Sequence, residues 1–266
     1  MKDIFIDEIA DKLSTNLQTL QKSFIESGKI KFFYLDNLIS ESILNQISAA
    51  FDKNISKLFD RKSLRENKKV GVKYDHYDQI LSDFTAAIHS PRIIELISHI
   101  TELDDLEPDS SMYAAGLSSM GYGNFLNPHL DNSHNFDRSK YRCLNLLYYC
   151  TPNWDEKNGG NLELWPEGPQ TTPLTIASLS NRLVVMKTDR NSWHSVSKVI
   201  VNKNRNCISN YYFSKFSPDT SDYNHVTSFR GNRDQKFVDI FLKYDAKFRN
   251  LLRKVYKKQH TRHIKD

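Results

Sequence analysis

The string Asn127-Pro128-His129-Leu130-Asp131-Asn132 sets an imidazole and a carboxylate two residues apart. In a β-strand, residues i and i+2 share a face, so His129 and Asp131 would project together. Sixty-three residues after Asp131, His194 opens another β-like run, Ser192-Trp193-His194-Ser195-Val196. Two imidazoles and one carboxylate on three vertices of an octahedron hold non-haem iron(II) and leave three positions open for a bidentate ligand and O₂. His-x-Asp by itself is common, and a single histidine is more often a surface or core residue than a ligand.

Arg205 narrows that choice. It lies eleven residues after His194 and precedes Asn206-Cys207-Ile208-Ser209-Asn210-Tyr211-Tyr212-Phe213, which reads as a buried strand. A buried guanidinium needs a partner, because an unpaired buried charge is costly. A ligand carboxylate gripped bidentately would serve, and so would an internal Asp or Glu. Tyr149, in the run Leu146-Leu147-Tyr148-Tyr149, could add a phenolic donor to the same carboxylate.

The surrounding sequence supplies the elements that would position these groups. Residues 6–27 carry Ile9, Leu13, Leu17, Leu20 and Phe24 at helical spacing and end at Gly28, a C-cap candidate. A short strand is expected over residues 31–35. Ser40 then caps a helix with Ile43, Leu44, Ile47, Phe51, Ile55 and Leu58 as its stripe, and Pro91 opens another through Ile93, Ile94, Leu96, Ile97 and Ile100. From about Ser111 short β-rich runs follow at 112–117, 124–129, 141–150, 161–165, 183–187, 195–201 and 207–216, separated by Gly, Pro and Asn turns. That spacing predicts an antiparallel jelly roll. A last helix is expected over about 234–256, through Phe237, Ile240, Phe241, Tyr244, Phe248, Leu251 and Leu252. The expected organisation is one domain over 1–266: a helical part at 1–110, a β core at 111–218 and a basic helical extension at 219–266, with helices buttressing the core at both ends.

At 266 residues and 39% apolar the chain can bury a substantial core, which excludes a largely disordered protein. The net charge of +5 is uneven: residues 230–266 hold twelve Lys and Arg against four Asp, about +8. Such a tail could meet nucleic acid, an acidic membrane surface or an anionic substrate, or be a solvated helix face. Cys143, Cys150 and Cys207 fit neither a disulfide framework nor a zinc motif and read as buried thiols. No long apolar run is present, so a soluble, cytoplasmic protein without a membrane span is expected.

From Asn127 to Phe216 the chain resembles the prolyl 4-hydroxylase-like branch of the Fe(II)/2-oxoglutarate-dependent oxygenases, including the oxygen-sensing prolyl hydroxylases. The matching features run in the family's order: His129-Leu130-Asp131-Asn132, Arg142 before Leu147-Tyr148-Tyr149, Asn153-Trp154-Asp155, Gly159-Gly160-Asn161-Leu162, Trp165-Pro166-Glu167-Gly168, Asn181-Arg182-Leu183-Val184, Arg190, His194-Ser195-Val196 and the Arg205 strand. The resemblance implies a double-stranded β-helix (cupin-like jelly roll) with flanking helices, and Fe(II), 2-oxoglutarate and O₂ as cofactor and cosubstrates, with ascorbate as a further candidate. It implies iron on His129, Asp131 and His194, the C5 carboxylate of 2-oxoglutarate on Arg205 with Tyr149, a cosubstrate pocket lined by Leu147 and Leu162, and Arg142 on the substrate side. Asp131 speaks against a halogenase, whose related fold leaves that ligand position open for chloride. One departure stands out: where family members often carry a tyrosine about ten residues before the first histidine, this chain has Ser119, with Tyr122 nearby.

The implied reaction couples oxidative decarboxylation of 2-oxoglutarate to succinate and CO₂ with hydroxylation of an unactivated C–H bond. A small molecule or metabolite is the favoured substrate, and a prolyl or other residue of a protein or peptide is the alternative. A non-catalytic 2-oxoglutarate sensor and a nucleic-acid dealkylase rank below both. His134 and Trp193 are candidate substrate contacts, against the plainer readings of a loop histidine and a packed indole. His260 and His263 read as part of a basic terminus. Arg230 and Arg233 could approach an anionic substrate or tether the following helix. A small-molecule enzyme would have a closed pocket, lidded by residues 132–140 and 223–233; a protein hydroxylase would have an open groove there.

Overall fold

The computed structural model describes residues 1–72, 74–109, 115–219 and 221–255. Amphipathic helices build its N-terminal layer. α1 (Lys2–Thr15) and α2 (Leu17–Glu26) bury Phe5, Ile9, Leu13, Leu20 and Phe24. The single helix expected over 6–27 is broken at Asn16, whose side-chain amide and backbone N–H both donate to the Lys12 carbonyl. An asparagine that satisfies the preceding turn in this way competes with helix continuation. Gly28 follows at φ +102°, a conformation glycine adopts without a Cβ penalty.

Next come β1 (Phe32–Leu35), α3 (Glu41–Asn54), a hairpin of β2 (Phe59–Lys62) and β3 (Glu66–Gly71), α4 (Gln79–Ile88) and α5 (Pro91–Thr101). Ser40 stands at the N-cap of α3 and Pro91 in the first turn of α5, as expected. The hairpin departs from the helical expectation. Its residues are mostly charged and show no apolar alternation; β3 becomes a strand because β5 and β6 pair along it, so tertiary context overrides local propensity.

The β core comprises β4 (Glu107–Pro108), β5 (Gly116–Met120), β6 (Phe125–Leu130), β7 (Tyr141–Tyr149), β8 (Leu162–Leu164), β9 (Leu174–Ile176), β10 (Arg182–Lys187), β11 (His194–Val196), β12 (Arg205–Ser214) and β13 (Ser228–Phe229). The order is β1-β10-β7-β12-β5-β3-β6-β11-β8-β9, with β2 on β3, β4 on β12 and β13 on β6. All pairings are antiparallel. The sheet curls into the expected jelly-roll double-stranded β-helix, flanked by helices. Part of the strand expected at 112–117 lies outside the described residues, as do Tyr256, His260 and His263. Strands β4, β9 and β13 were not expected; each is three residues or fewer and too short to carry a pattern.

The helices meet the sheet through one apolar layer that includes Leu144, Leu146, Tyr148, Leu183, Val185, Ile208 and Tyr212 on the strands. Phe84 of α4 stacks on Tyr148 at 4.5 Å and takes Phe5 edge-on at 5.3 Å. Each such fully buried side chain stabilises the fold by about 1.5–3 kcal/mol relative to exposure. Cys143, Cys150 and Cys207 are buried free thiols, as expected. Among the described residues no helix is long and apolar enough to cross a membrane.

The C-terminal segment is attached differently. After β12 the chain returns along β6: β13 pairs with it, and the Arg230 N–H donates to the Pro128 carbonyl. α6 (Lys236–Val255) lies against β13. Arg230 grips Asp239 with two hydrogen bonds of 2.6 and 2.7 Å, Arg65 and Arg249 both hold Asp245, and Arg249 also donates to the Thr227 carbonyl. Leu242 is buried, but Phe237, Ile240, Phe241, Tyr244 and Phe248 point into solvent. The expectation that these residues buttress the core is therefore corrected: polar anchors hold the helix, and its apolar stripe faces away.

Candidate metal centre

Strand geometry brings the first two candidate ligands together. His129 lies near the C-terminal end of β6 and Asp131 one residue beyond it, where alternation sends both side chains to one face. His194 begins β11 and is the direct antiparallel partner of His129, so the two imidazoles meet across the ladder with ring centres 4.1 Å apart. The register shifts between His194 and Val196, an irregularity of the kind that re-aims side chains beside sites. One ligand atom from each of His129, Asp131 and His194 lies within 4.8 Å of the others. The Nε2 atoms of the two histidines stand 3.7 Å from the two Asp131 oxygens.

The backbone sets the tautomers. His129 Nδ1 lies 3.0 Å from the Asn127 carbonyl and His194 Nδ1 2.9 Å from the Ser192 carbonyl. An Nδ1–H donating to a carbonyl leaves the Nε2 lone pair for a cation. Burial and the neighbouring His194 push His129 down to about 3, so it is neutral across the physiological range. Burial raises the Asp131 carboxyl, but Arg142 and the two histidines outweigh it and hold the group below the ordinary carboxylate range. Asp131 Oδ2, though buried, accepts no hydrogen bond. Two imidazoles whose Nδ1 atoms face backbone carbonyls, beside an ionised carboxylate, fit a divalent cation of the iron(II) type.

Arg205, at the start of β12, is buried and has no carboxylate partner among the described residues. Its Nε is without a hydrogen bond, Nη2 reaches Ser178 Oγ only at 3.4 Å, and Nη1 is 4.0 Å from Met120 Sδ. The guanidinium lies 4.5 Å from the Tyr149 ring centre, and the buried Tyr149 hydroxyl, close to Ser178 and Arg205, makes no hydrogen bond of good geometry. Burial pushes that phenol up to about 12, so it is a donor. A buried cation beside an unsatisfied donor fits a carboxylate that the protein does not itself provide. Gly159 and Gly160, at φ +74° and +67°, allow the adjoining loop to approach: a Cβ on Gly159 would sit 2.0 Å from the Lys198 carbonyl oxygen, and one on Gly160 3.3 Å from Arg205 Cγ. Tyr149 and Leu162 share an apolar cluster with Leu164, Ile176, Val184 and Cys207, against which Leu147 packs.

The remaining candidates fall in other places. Arg142 is buried with Nη1 3.2 Å from Asp131 Oδ2 and its guanidinium 4.2 Å from the Tyr211 ring centre; it touches a candidate ligand of the metal. His134 is buried, with Nδ1 2.8 Å from Ser133 Oγ and its ring against Tyr141. Trp193 is half-buried, and its carbonyl accepts from the Trp165 N–H. Ser119 is buried and donates to Asn206 at 2.7 Å, whereas Tyr122 is turned to solvent. Arg230 is a tether to Asp239, and Arg233 lies over the Trp165 ring at 5.7 Å.

Sequence reasoning missed Phe229, whose ring stacks on His129 at 5.1 Å and 14°. It also missed how the two lid candidates join. Ser133 and His225 exchange hydrogen bonds, Tyr141 donates to Asp222, and the Tyr223 ring bridges Tyr141 and His225. Neither feature leaves a pattern in the sequence, because each depends on residues about 90 positions apart.

Residues 115–213 match the model of the 2OG-Fe(II) oxygenase superfamily. A hypoxia-inducible factor prolyl hydroxylase of Caenorhabditis elegans is 31% identical over 148 residues, which are 55% of this chain and 20% of the relative; the chain thus spans about one-fifth of that relative's length. The fold is similar to a Trichoplax adhaerens prolyl hydroxylase in complex with a hypoxia-inducible factor oxygen degradation domain peptide fragment (18% identity, 79% of this chain and 96% of the other, TM-score 0.57). It is also similar to HygX from Streptomyces hygroscopicus with nickel, 2-oxoglutarate and hygromycin B bound (10% identity, 73% and 87%, TM-score 0.51).

Proposed function

We propose that this chain, prolyl hydroxylase-like and of the 2OG-Fe(II) oxygenase kind in its core, binds iron(II) through His129, Asp131 and His194 and 2-oxoglutarate through Arg205 and Tyr149, and hydroxylates an unactivated C–H bond. The observation that carries the reading is the buried Arg205 guanidinium without an internal carboxylate, in the same curled sheet as the triad. Bound iron and 2-oxoglutarate supply the oxidising chemistry, with succinate and CO₂ as coproducts. The protein's own part is positional. The Asn127 and Ser192 carbonyls aim the two imidazoles, and Arg142 occupies one side of Asp131. Arg205 and Tyr149 orient the distal carboxylate, Leu147 and Leu162 line its pocket, and Phe229 walls His129 from water.

For the substrate we favour a small molecule. Support comes from the loops at 132–140 and 223–233, which are bonded to one another through Ser133 and His225, near a triad whose two histidines are buried. A protein residue is the second reading, favoured by the 31% identity to a hypoxia-inducible factor prolyl hydroxylase. Succinate release from 2-oxoglutarate by the Fe(II)-loaded protein tests both. His129→Ala should abolish it. Arg205→Ala should raise the 2-oxoglutarate requirement by roughly 10–100-fold, the loss of about 1.5–3 kcal/mol for a charged hydrogen-bonded pair. Stimulation by metabolites but not peptides supports the first reading, and the reverse supports the second. Absence of succinate together with absence of Fe(II)-dependent 2-oxoglutarate binding would sink both.

A further inference from the structure

On α6, Phe237, Ile240, Phe241, Tyr244 and Phe248 fall at i, i+3, i+4, i+7 and i+11, one helical face. They are 55–91% exposed. Single exposed apolar side chains need no explanation, but a continuous stripe of five marks an interaction surface. Beside it Lys236, Lys243 and Lys247 form a second exposed stripe at i, i+7 and i+11, with the Lys247 ammonium 5.8 Å from the Tyr244 ring centre. The hairpin of β2 and β3, joined to α6 by the 2.6 Å Arg65–Asp245 ion pair, adds exposed Leu64 at its turn and exposed Arg61 and Lys62 at the end of β2. Residues 230–266 carry about +8 of the chain's +5 (12 − 4), leaving −3 for the rest (5 − 8).

We propose that α6 and the β2–β3 turn form a docking surface for an anionic lipid bilayer. The helix lies in the interface plane, its aromatic stripe entering the boundary between headgroups and acyl chains and its lysines level with the phosphates. Three features favour this occupant. An interfacial helix is amphipathic, with Phe or Trp on one face and Lys on its polar flank. Aromatic rings, tyrosine among them, suit a boundary that is apolar below and wet above. Each basic side chain near an anionic leaflet adds attraction. A second copy fits less well, because two α6 helices paired antiparallel about a twofold axis would set lysine stripe against lysine stripe. The protein's own polar anchors on the opposite face leave the stripe free to insert without unfolding anything.

The full-length chain sedimented with vesicles of phosphatidylcholine, with and without phosphatidylglycerol, tests the assignment. Binding is expected to the anionic vesicles and to fall as salt rises. Phe241→Ser with Phe248→Ser should weaken it roughly a hundredfold, about tenfold for each ring. Lys243→Glu with Lys247→Glu should remove the preference for phosphatidylglycerol. Tyr122→Ser, which removes an equally exposed aromatic elsewhere, should leave binding unchanged, and unchanged thermal midpoints would confirm that all variants are folded. The proposal is overturned if the chain ignores anionic vesicles, or if Tyr122→Ser weakens binding as much as the α6 variant. It is equally overturned if sedimentation velocity finds a dimer that the α6 variant dissociates while vesicles go unbound, which would assign the face to a second copy.

Discussion

Helices α5 and α6 are both amphipathic, yet they dock by opposite faces. α5 buries Ile93, Ile97 and Ile100 against the N-terminal layer. α6 docks by Asp239, Leu242, Asp245 and Arg249 and leaves its aromatic stripe in water. The same contrast holds for the regions they belong to. Helices α1–α5 adhere to the back of the sheet by apolar burial, whereas the segment after β12 is fastened across β6, which carries His129, by ion pairs, backbone bonds and a stacked ring. Periodicity therefore tells which residues share a face and leaves open which face the fold will use. The apolar side supports the sheet from behind, and the polar-fastened side borders the candidate site.

Four measurements would sharpen or break this contrast. Phe84→Ala should have the largest effect, since it removes the ring that joins Phe5 and Tyr148: about 3–5 kcal/mol in urea unfolding. Asp239→Ala should cost about 1–2 kcal/mol by leaving half-buried Arg230 unpaired, and it should speed amide exchange in β13 without touching α5. If α5 exchanges faster as well, the two regions are one cooperative unit and the contrast fails. Acid should act on the same fastening. Burial raises the Asp239 carboxyl, but Arg230 and the Gly231 N–H outweigh it and leave the group below its ordinary value. A lowered folded pKa means the contribution is complete above about pH 4 and fades as pH falls further, so β13 should lose protection there before α5 does. The smallest effect belongs to Phe241→Ser, expected to leave the unfolding midpoint within about 0.5 kcal/mol of the parent. A large loss there would mean that the stripe is structural after all.

How much of this was legible in the sequence follows the same line. His129, Asp131, His194 and Arg205 could be singled out because strand alternation and chain order depend on neighbours in sequence, and the structure brings the first three together and gives Arg205 no carboxylate among the described residues. The strands that carry them begin and end within a few residues of expectation, β11 apart, which stops at Val196. The hairpin at 59–71 was not legible, since β5 and β6 recruit its charged residues from outside. Arg142 was expected on the substrate side, and nothing in its local sequence announced the 3.2 Å approach to Asp131. Phe229 and the outward face of α6 belong to the same class: each is decided by a partner remote in sequence.

The short pairing of β13 has one more consequence. On the side away from β11, β3 covers β6 only at Phe125 and Leu126, and β13 covers it at His129 and Leu130. Without β13 the half of β6 that carries His129 would be a bare sheet edge, offering unpaired N–H and C=O groups to any extended chain. Two residues thus act as a guard against templated self-association. Loss of the C-terminal segment should then be read in the test tube as turbidity.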